Sequence, residues 1–438
     1  MGKRSSSLWV VLLLLGLSLF GLAAIGQSIY SRLSYFWVLL LLGNWVWSKF
    51  SLRGLEIRRS SSIRRGAIGQ VFEERYQVKN NLRLPKLWLE VKDGSKLPGS
   101  SGSRVYTLIG GRQVRSTLSR TRLVKRGVYQ LGPTTVTSGD PFGFFQEQIQ
   151  FPAQDSLWVF PMIVEIEHFP GPLGLLPGGE ALHRRTHQIT PNAAGIRQYL
   201  PGDSFNRIHW KSTARRNELM VKEFELDPLA EAWILVDGQR AVHNSLPYIQ
   251  ETDFERLLFR PKKQQDLAPD SEEYAATAAA SITRYYLRRG RSVGLMVSSE
   301  TGDLLAPDRG PRQLDKILEA LALYKADGHT PFAGVVTDQC RHLPRGSTVV
   351  LITPSTHDDI LLVVDQLIRL GLRPVLIMIN AASFGGAPGV EKMNELISSL
   401  GVPTVVLSNE DDIAQKLSFS WSHPGALSIA PERASEII

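Results

Sequence analysis

Two N-terminal membrane helices, a β-sandwich of immunoglobulin-like type and a C-terminal doubly wound α/β domain form the fold class that these 438 residues predict. Three observations carry it. An uncharged apolar run of 18 residues, Leu8 to Ile25, is followed within ten residues by a second one. Short alternating segments separated by Gly, Pro, Asn and Ser fill the chain from 55 to about 165. From Ala232 onward, contiguous apolar strands alternate with amphipathic helices. The borders predicted are 1–50 for the helical hairpin, 51–165 for the β-rich domain, 166–228 for a linker with a dense motif, and 229–438 for the α/β domain.

The run LWVVLLLLGLSLFGLAAI is at the short end of what crosses a bilayer as a helix. The second, LSYFWVLLLLGNWVW from Leu33 to Trp47, is framed by Tyr35, Trp37, Trp45 and Trp47, the aromatic belt of an interfacial helix end. A cleaved signal peptide is the competing reading of the first run. It is opposed by the second apolar segment, which follows within ten residues. Lys3 and Arg4 precede the first helix, and Lys49, Arg53, Arg58, Arg59, Arg64 and Arg65 follow the second, whereas the connecting loop carries Arg32 alone. The positive-inside bias therefore predicts a multi-pass inner or plasma membrane protein with both termini and its domains in the cytoplasm.

Strands are predicted in the second region at Val71–Val78, Leu87–Val91, Arg104–Ile109, Gln113–Leu118 and Trp158–Pro161, with further strand ends and turns around Arg126–Pro133 and Asp140–Gly143. About seven short strands over a hundred residues suit an immunoglobulin-like sandwich. The Pro/Gly-rich stretch from about 167 to 195 then reads as a connection. In the last region the predicted strands are Trp233–Val236, Val293–Ser298, Thr348–Thr353, Pro374–Ile379 and Thr404–Leu407. The predicted helices are Glu272–Arg289, Gln313–Lys325, His357–Leu370 and Val390–Leu400. Such alternation makes a parallel sheet covered on both faces, whose ligands bind at the carboxyl ends of the strands. Asp237, Ser298-Ser299 and Thr353 through Asp359 are placed there.

Composition narrows the chemistry. The formal net charge of +8 suits an acidic partner, and the basic run after the second helix supplies much of it against lipid headgroups. A lone cysteine, Cys340, excludes an intrachain disulfide and a cysteine zinc cage. Walker A, dinucleotide-binding, zincin and nucleophile-elbow patterns are all missing from the sequence. A doubly wound sheet invites a metal-dependent adhesion site, built from an Asp-x-Ser-x-Ser run with a Thr and an Asp from later loops around Mg²⁺. The run here is Asp237-Gly238-Gln239-Arg240-Ala241, so the first acid is in place and neither serine is. Asp237, Thr353 and Asp358 are the candidate ligands of what reads as a decayed site, and a metal-dependent receptor or enzyme is the alternative function they define.

The densest stretch is Gly195 to Leu226, with Arg197, Tyr199, a Pro201-Gly202-Asp203 turn, Trp210, Lys211, Arg215 and Lys222 within it. Two readings stand. In one, Asp203 caps a short helix running through Trp210, which Phe205, Ile208 and Trp210 fix to a neighbour, while the arginines act as clips. In the other, the Arg and Lys side chains are a docking surface for an acidic protein. Nucleic acid is disfavoured, because Asp203, Glu218, Glu223 and Glu225 dilute the positive footprint.

The ordered pattern Arg197-x-Tyr199-x-Pro201-Gly202-Asp203, Ile208-x-Trp210-Lys211-x-x-Ala214-Arg215 and Leu219-x-Val221-Lys222-x-Phe224 resembles that of the domain-of-unknown-function 58 family. Arg126-Gly127-x-Tyr129 and Asp140-Pro141-Phe142-Gly143 extend the likeness. The resemblance implies a von Willebrand factor A-like C-terminal fold and a non-enzymatic, membrane-anchored adaptor that works with a MoxR-type AAA ATPase. It supplies no activity. The sequence departs from the pattern at His209, where the family commonly has an acidic residue.

Overall fold

A computed structural model of the chain describes residues 6–100, 102–153, 155–170, 193–199, 208–224, 231–247, 267–300 and 302–419. The chain divides into two compact units. One comprises Met1–Met162, Pro247–Pro269 and Leu321–Leu323; the other comprises Ile163–Leu246, Asp270–Ala320 and Tyr324–Ile438.

The first unit opens with helices α1 (Ser6–Ile25) and α2 (Ser28–Ser51). Gly26, at a φ of +69° that favours glycine, turns the chain between them. Small side chains let the helices approach: Ser18 Oγ and Ser34 Oγ lie 3.0 Å apart, and a Cβ on Gly21 would lie 2.7 Å from the Tyr30 ring. Polar residues of α2 turn inward, and two of them are satisfied there, with Asn44 Nδ2 donating to the Leu40 carbonyl and Ser34 Oγ to that of Tyr30. Leu13, Phe20, Tyr35 and Leu39 face outward. Among the described residues one helix, Ser7–Ile25, is long and apolar enough to cross a membrane. The end of α2 is capped by the buried Lys86, whose Nζ donates to the carbonyls of Phe50 (2.7 Å) and Arg53 (3.0 Å).

The strands that follow are β1 (Leu55–Ser61), β2 (Arg65–Ala67), β3 (Val71–Asn80), β4 (Lys86–Asp93), β5 (Ser103–Ile109), β6 (Val114–Arg122), β7 (Gly127–Leu131), β8 (Thr134–Gly139), β9 (Gln146–Phe151) and β10 (Asp155–Phe160). They form sheets in the orders β1-β3-β6, β5-β4-β8-β9 and β2-β10-β7, antiparallel except for β2 with β10. Strand β3 shows the period-two rule, burying Phe72, Glu74, Tyr76, Val78 and Asn80 on one face. Tyr76, Val78, Leu89, Val91, Tyr106, Ile109 and Val136 build a core between strands. The region is thus sheet-rich as predicted, with ten strands among the described residues in place of about seven. The surplus comes from strands such as β8 (TTVTSG) and β9 (QEQIQF), whose polar composition hides the alternation.

In the second unit β11 (Ala193–Gln198) and β12 (Met220–Phe224) form an antiparallel ribbon, with α3 (Trp210–Arg216) between them in sequence. Then come β13 (Ala232–Val236), α4 (Ser271–Arg288), β14 (Val293–Val297), β15 (Leu304–Asp308), α5 (Pro311–Leu323), α6 (Phe332–Cys340), β16 (Thr348–Thr353), α7 (Asp359–Arg369), β17 (Arg373–Ile379), α8 (Val390–Ser399), β18 (Thr404–Leu407) and α9 (Ile413–Phe419). The six-stranded sheet has the order β15-β14-β13-β16-β17-β18, parallel except for β15. Strands β13, β14 and β16 are buried along their whole length, and α6, α7 and α8 bury Val336, Val363, Val364, Leu367, Met393 and Ile397 with them. Residues placed at the linker border also belong here: Val164 N donates to Ser281 Oγ and Phe169 N to the Tyr285 hydroxyl.

Candidate functional site

Strands β13, β14 and β16 are adjacent, and β13 is where the strand order reverses, so their carboxyl ends make the crevice that an open α/β sheet offers to ligands. Asp237 follows β13 directly and is fully buried. Its Oδ1 accepts from the Gln239 amide at 2.8 Å and its Oδ2 from the Thr353 hydroxyl, at the end of β16, at 2.6 Å. Thr353 Oγ1 in turn accepts from Ser355 N. Ser298, after β14, accepts from Gly238 N at 2.8 Å.

The Asp237 carbonyl is held as firmly as its side chain. Tyr324 Oη donates to it at 2.5 Å and His243 Nε2 lies 2.9 Å away. A carbonyl cannot donate, so Nε2 carries the proton, and Nδ1 faces Ser271 Oγ at 3.0 Å. Loop 237–243 is thereby folded back onto the first residue of α4. Gly328 fits against this loop without room for a side chain, since a Cβ would lie 2.4 Å from the Ser298 carbonyl and 3.0 Å from that of Gly238. We expect Gly328→Val to cost about 1–3 kcal/mol, read as a lower thermal midpoint.

Burial pushes the Asp237 carboxyl up, against the opposing pull of His243, Thr353 and the Gln239 amide. Both its oxygens are occupied from within the protein. Asp358, the third proposed ligand, is exposed at the start of α7. Mg²⁺ asks for near-octahedral oxygen ligands, and residues 239 and 241 add no hydroxyl, so this donor set does not fit that cation. Among the described residues, no three His, Cys, Asp or Glu side chains group closely enough to hold a metal. What the arrangement does is lock three strand ends together. Asp237, Ser298 and Thr353 were legible as strand-end residues; His243, Ser271 and Tyr324 were not.

The dense motif divides between the ribbon and α3. Arg197 lies on β11 opposite Val221, and Lys222 on β12 opposite Ile196. Tyr199 N donates to the Leu219 carbonyl. Pro201, Gly202 and Asp203 lie outside the described residues. The helix predicted to run through Trp210 instead begins there: Ile208 forms a bridge with Val221, and His209 is the N-cap. His209 Nδ1 accepts from Ser212 N at 3.2 Å, the service an acidic cap performs, which gives this departure from the family pattern a physical role. Asn217, at a φ of +57°, ends the helix. No residue of α3 is buried. Trp210 is 68% exposed, and Lys211, Arg215 and Arg216 are exposed beside it, so Trp210 does not fix the helix to a neighbour as the first reading expected.

Residues 195–247 match the family model described as "Protein of unknown function DUF58". The chain is 23% identical over 242 residues to the uncharacterized protein YeaD of Bacillus subtilis (strain 168), a match covering 54% of this chain and 53% of that one. The chain thus spans about half the length of the curated relative it matches. Among solved structures, the CARDB domain of a Pyrococcus furiosus protein in complex with di-metal ions aligns at 11% identity and a TM-score of 0.18, over 24% of this chain and 91% of that one. The Pseudomonas fluorescens alkylpurine DNA glycosylase AlkC, bound to DNA containing an abasic site analog, aligns at 8% identity and 0.17, over 35% and 43%. Scores this low carry no argument about fold or chemistry. The family match, by contrast, takes in most of the ribbon, α3, Asp237 and His243, so the matched segment holds both the exposed motif and the first strand end of the buried lock.

Proposed function

We propose that this protein is a membrane-anchored binding module whose α/β unit docks an acidic face of a protein partner from the cytoplasmic side. The observation that carries the reading is the exposure of Trp210, Lys211, Arg215 and Arg216 together on one short helix. An aromatic anchor among arginines is the composition of interface hot spots. The apolar α1 supports the anchor. The inside-out pattern of α2, with Ser34, Asn44 and Ser48 inward and Tyr35 and Leu39 outward, supports a second span. The basic residues flanking the hairpin support the cytoplasmic orientation. A doubly wound sheet with an antiparallel third strand, and an Asp and a Thr at neighbouring strand ends, supports the von Willebrand factor A-like reading. The antiparallel sheets of the first unit support an immunoglobulin-like one.

The partner we propose is a MoxR-type AAA ATPase. Affinity capture of the full chain from solubilised membranes recovers that ATPase, and Arg215→Glu reduces recovery by about tenfold or more, a loss of about 1.4 kcal/mol. Recovery unchanged by Arg215→Glu and by Trp210→Ala removes α3 from the interface.

A further inference from the structure

The Asp140-Pro141-Phe142-Gly143 motif has no part in the site described above. It forms the tip of the β8–β9 connection, and what surrounds it is the helical hairpin. Phe144 is buried in one apolar cluster with Leu8 and Val11 of α1, and Trp37, Leu40 and Leu41 of α2 pack against that cluster with Phe145. The ring of Phe142 stacks on that of Phe144 with centroids 5.6 Å apart and planes at 13°. Yet Phe142 itself is 60% exposed.

These contacts set a depth. Trp45, Trp47 and Lys49 mark the end of the apolar part of α2, and Lys49 pairs with Glu147 on β9. Leu40 and Leu41 lie six or seven residues before Trp47, which is about 10 Å further along a helix axis. Leu40 and Leu41 pack against the cluster that Phe144 shares with Leu8 and Val11, so the loop reaches below the aromatic belt, toward the acyl region beside the hairpin. We infer that the loop of residues 140–145 is a lipid-inserted wedge, with Phe142 facing the acyl chains of the leaflet that the β-rich region approaches. This rests on the reading of the hairpin as membrane-spanning.

The loop is built for a dry place. Backbone N–H groups in hydrocarbon need partners from the protein. Asp140 is fully buried and supplies them: Oδ2 accepts from Phe142 N at 3.0 Å, Oδ1 from Phe145 N at 2.6 Å, and its carbonyl from Gly143 N at 3.3 Å. Pro141 has no N–H to satisfy. At the mouth of the loop, a Cβ on Gly139 would lie 2.4 Å from the Phe145 carbonyl, so the two strands close tightly behind the wedge. An exposed phenylalanine on a loop whose Phe142, Gly143 and Phe145 amides are satisfied by Asp140, continuous with a hairpin whose outward faces are apolar, matches a bilayer in chemistry and geometry.

The test uses the full chain in phosphatidylcholine/phosphatidylglycerol vesicles. Cys340→Ala removes the one native thiol, and an environment-sensitive fluorophore is placed in turn at Phe142→Cys, Leu13→Cys on the exposed face of α1, and Val114→Cys on β6. All three positions are exposed, so the substitutions leave the cores intact. Acyl-chain spin labels are expected to quench positions 13 and 142, with blue-shifted emission at both, and to leave position 114 unaffected. Quenching at 13 with position 142 behaving like 114 overturns the wedge while the hairpin stands. No quenching at 13 overturns the spanning hairpin, and the wedge with it.

Discussion

Arg59→Met is expected to destabilise the β-rich unit by about 3–5 kcal/mol, the cost of stranding buried charges by removing their partner. Arg59 on β1 grips two carboxylates at once. Its Nε donates to Glu74 Oε1 at 2.8 Å, and its Nη1 and Nη2 form a fork on Asp93 at 3.0 and 3.1 Å. The side chains are 13%, 3% and 6% exposed respectively, so little water replaces the guanidinium when it is lost. The guanidinium also lies 5.1 Å from the centre of the Tyr76 ring, which adds a cation–π contact. Combining Arg59→Met with Glu74→Gln and Asp93→Asn removes the stranded charges, and most of the loss is expected to return. Denaturant unfolding of the full chain in detergent micelles separates the cases. A single-variant loss below about 1 kcal/mol would show that the cluster behaves as a surface pair.

The second large effect falls on the strand-end lock. Asp237→Ala leaves the Gln239 amide and the Thr353 hydroxyl without their acceptor in a fully buried place, at about 1–3 kcal/mol for each orphaned group. Asp237→Asn keeps the shape and one acceptor, and its loss is expected to be smaller. The pair also makes a pH test. Burial raises the Asp237 carboxyl above its ordinary 3.8, so between 3.8 and the raised value the folded chain holds a proton that the unfolded chain has released. The contribution to stability is then complete below 3.8 and is lost as pH rises through the folded value. Asparagine does not ionise. The stability of Asp237→Asn relative to the parent should therefore improve from about pH 4 to about pH 7, and a difference that does not change would place the ionised carboxylate in a site that solvates it.

Much of the α/β unit was legible because its strands are buried on both faces and read as unbroken apolar runs; β16 (TVVLIT) and β18 (TVVL) were placed to the residue. Strand β15 (LLAPD) was missed, being a half-exposed edge that carries a proline. So was α6, whose nine residues are too few for a periodic signal. At the site, the rule that ligands gather at carboxyl strand ends pointed to Asp237, Ser298 and Thr353. Nothing local pointed to Tyr324, which is 87 residues from Asp237 in the chain and meets its carbonyl only when α5 has packed. The Asp140 motif was visible as a turn. The residues that cluster with Phe144 beside it, Leu8 and Val11, were not, because they are supplied by a different part of the chain.

Residue order alone therefore determined the classes of structure: an apolar N-terminus, a sheet-rich middle and an alternating α/β end, each written as a periodicity that local backbone geometry obeys. It also determined which residues make the motif of Arg197, Trp210 and Arg215. Tertiary structure decided what those residues face. It put Trp210 in the open, both oxygens of Asp237 inside, and Phe144 against the hairpin. Burial and partnership are properties of surfaces brought together across tens or hundreds of residues, and no spacing along the chain encodes them.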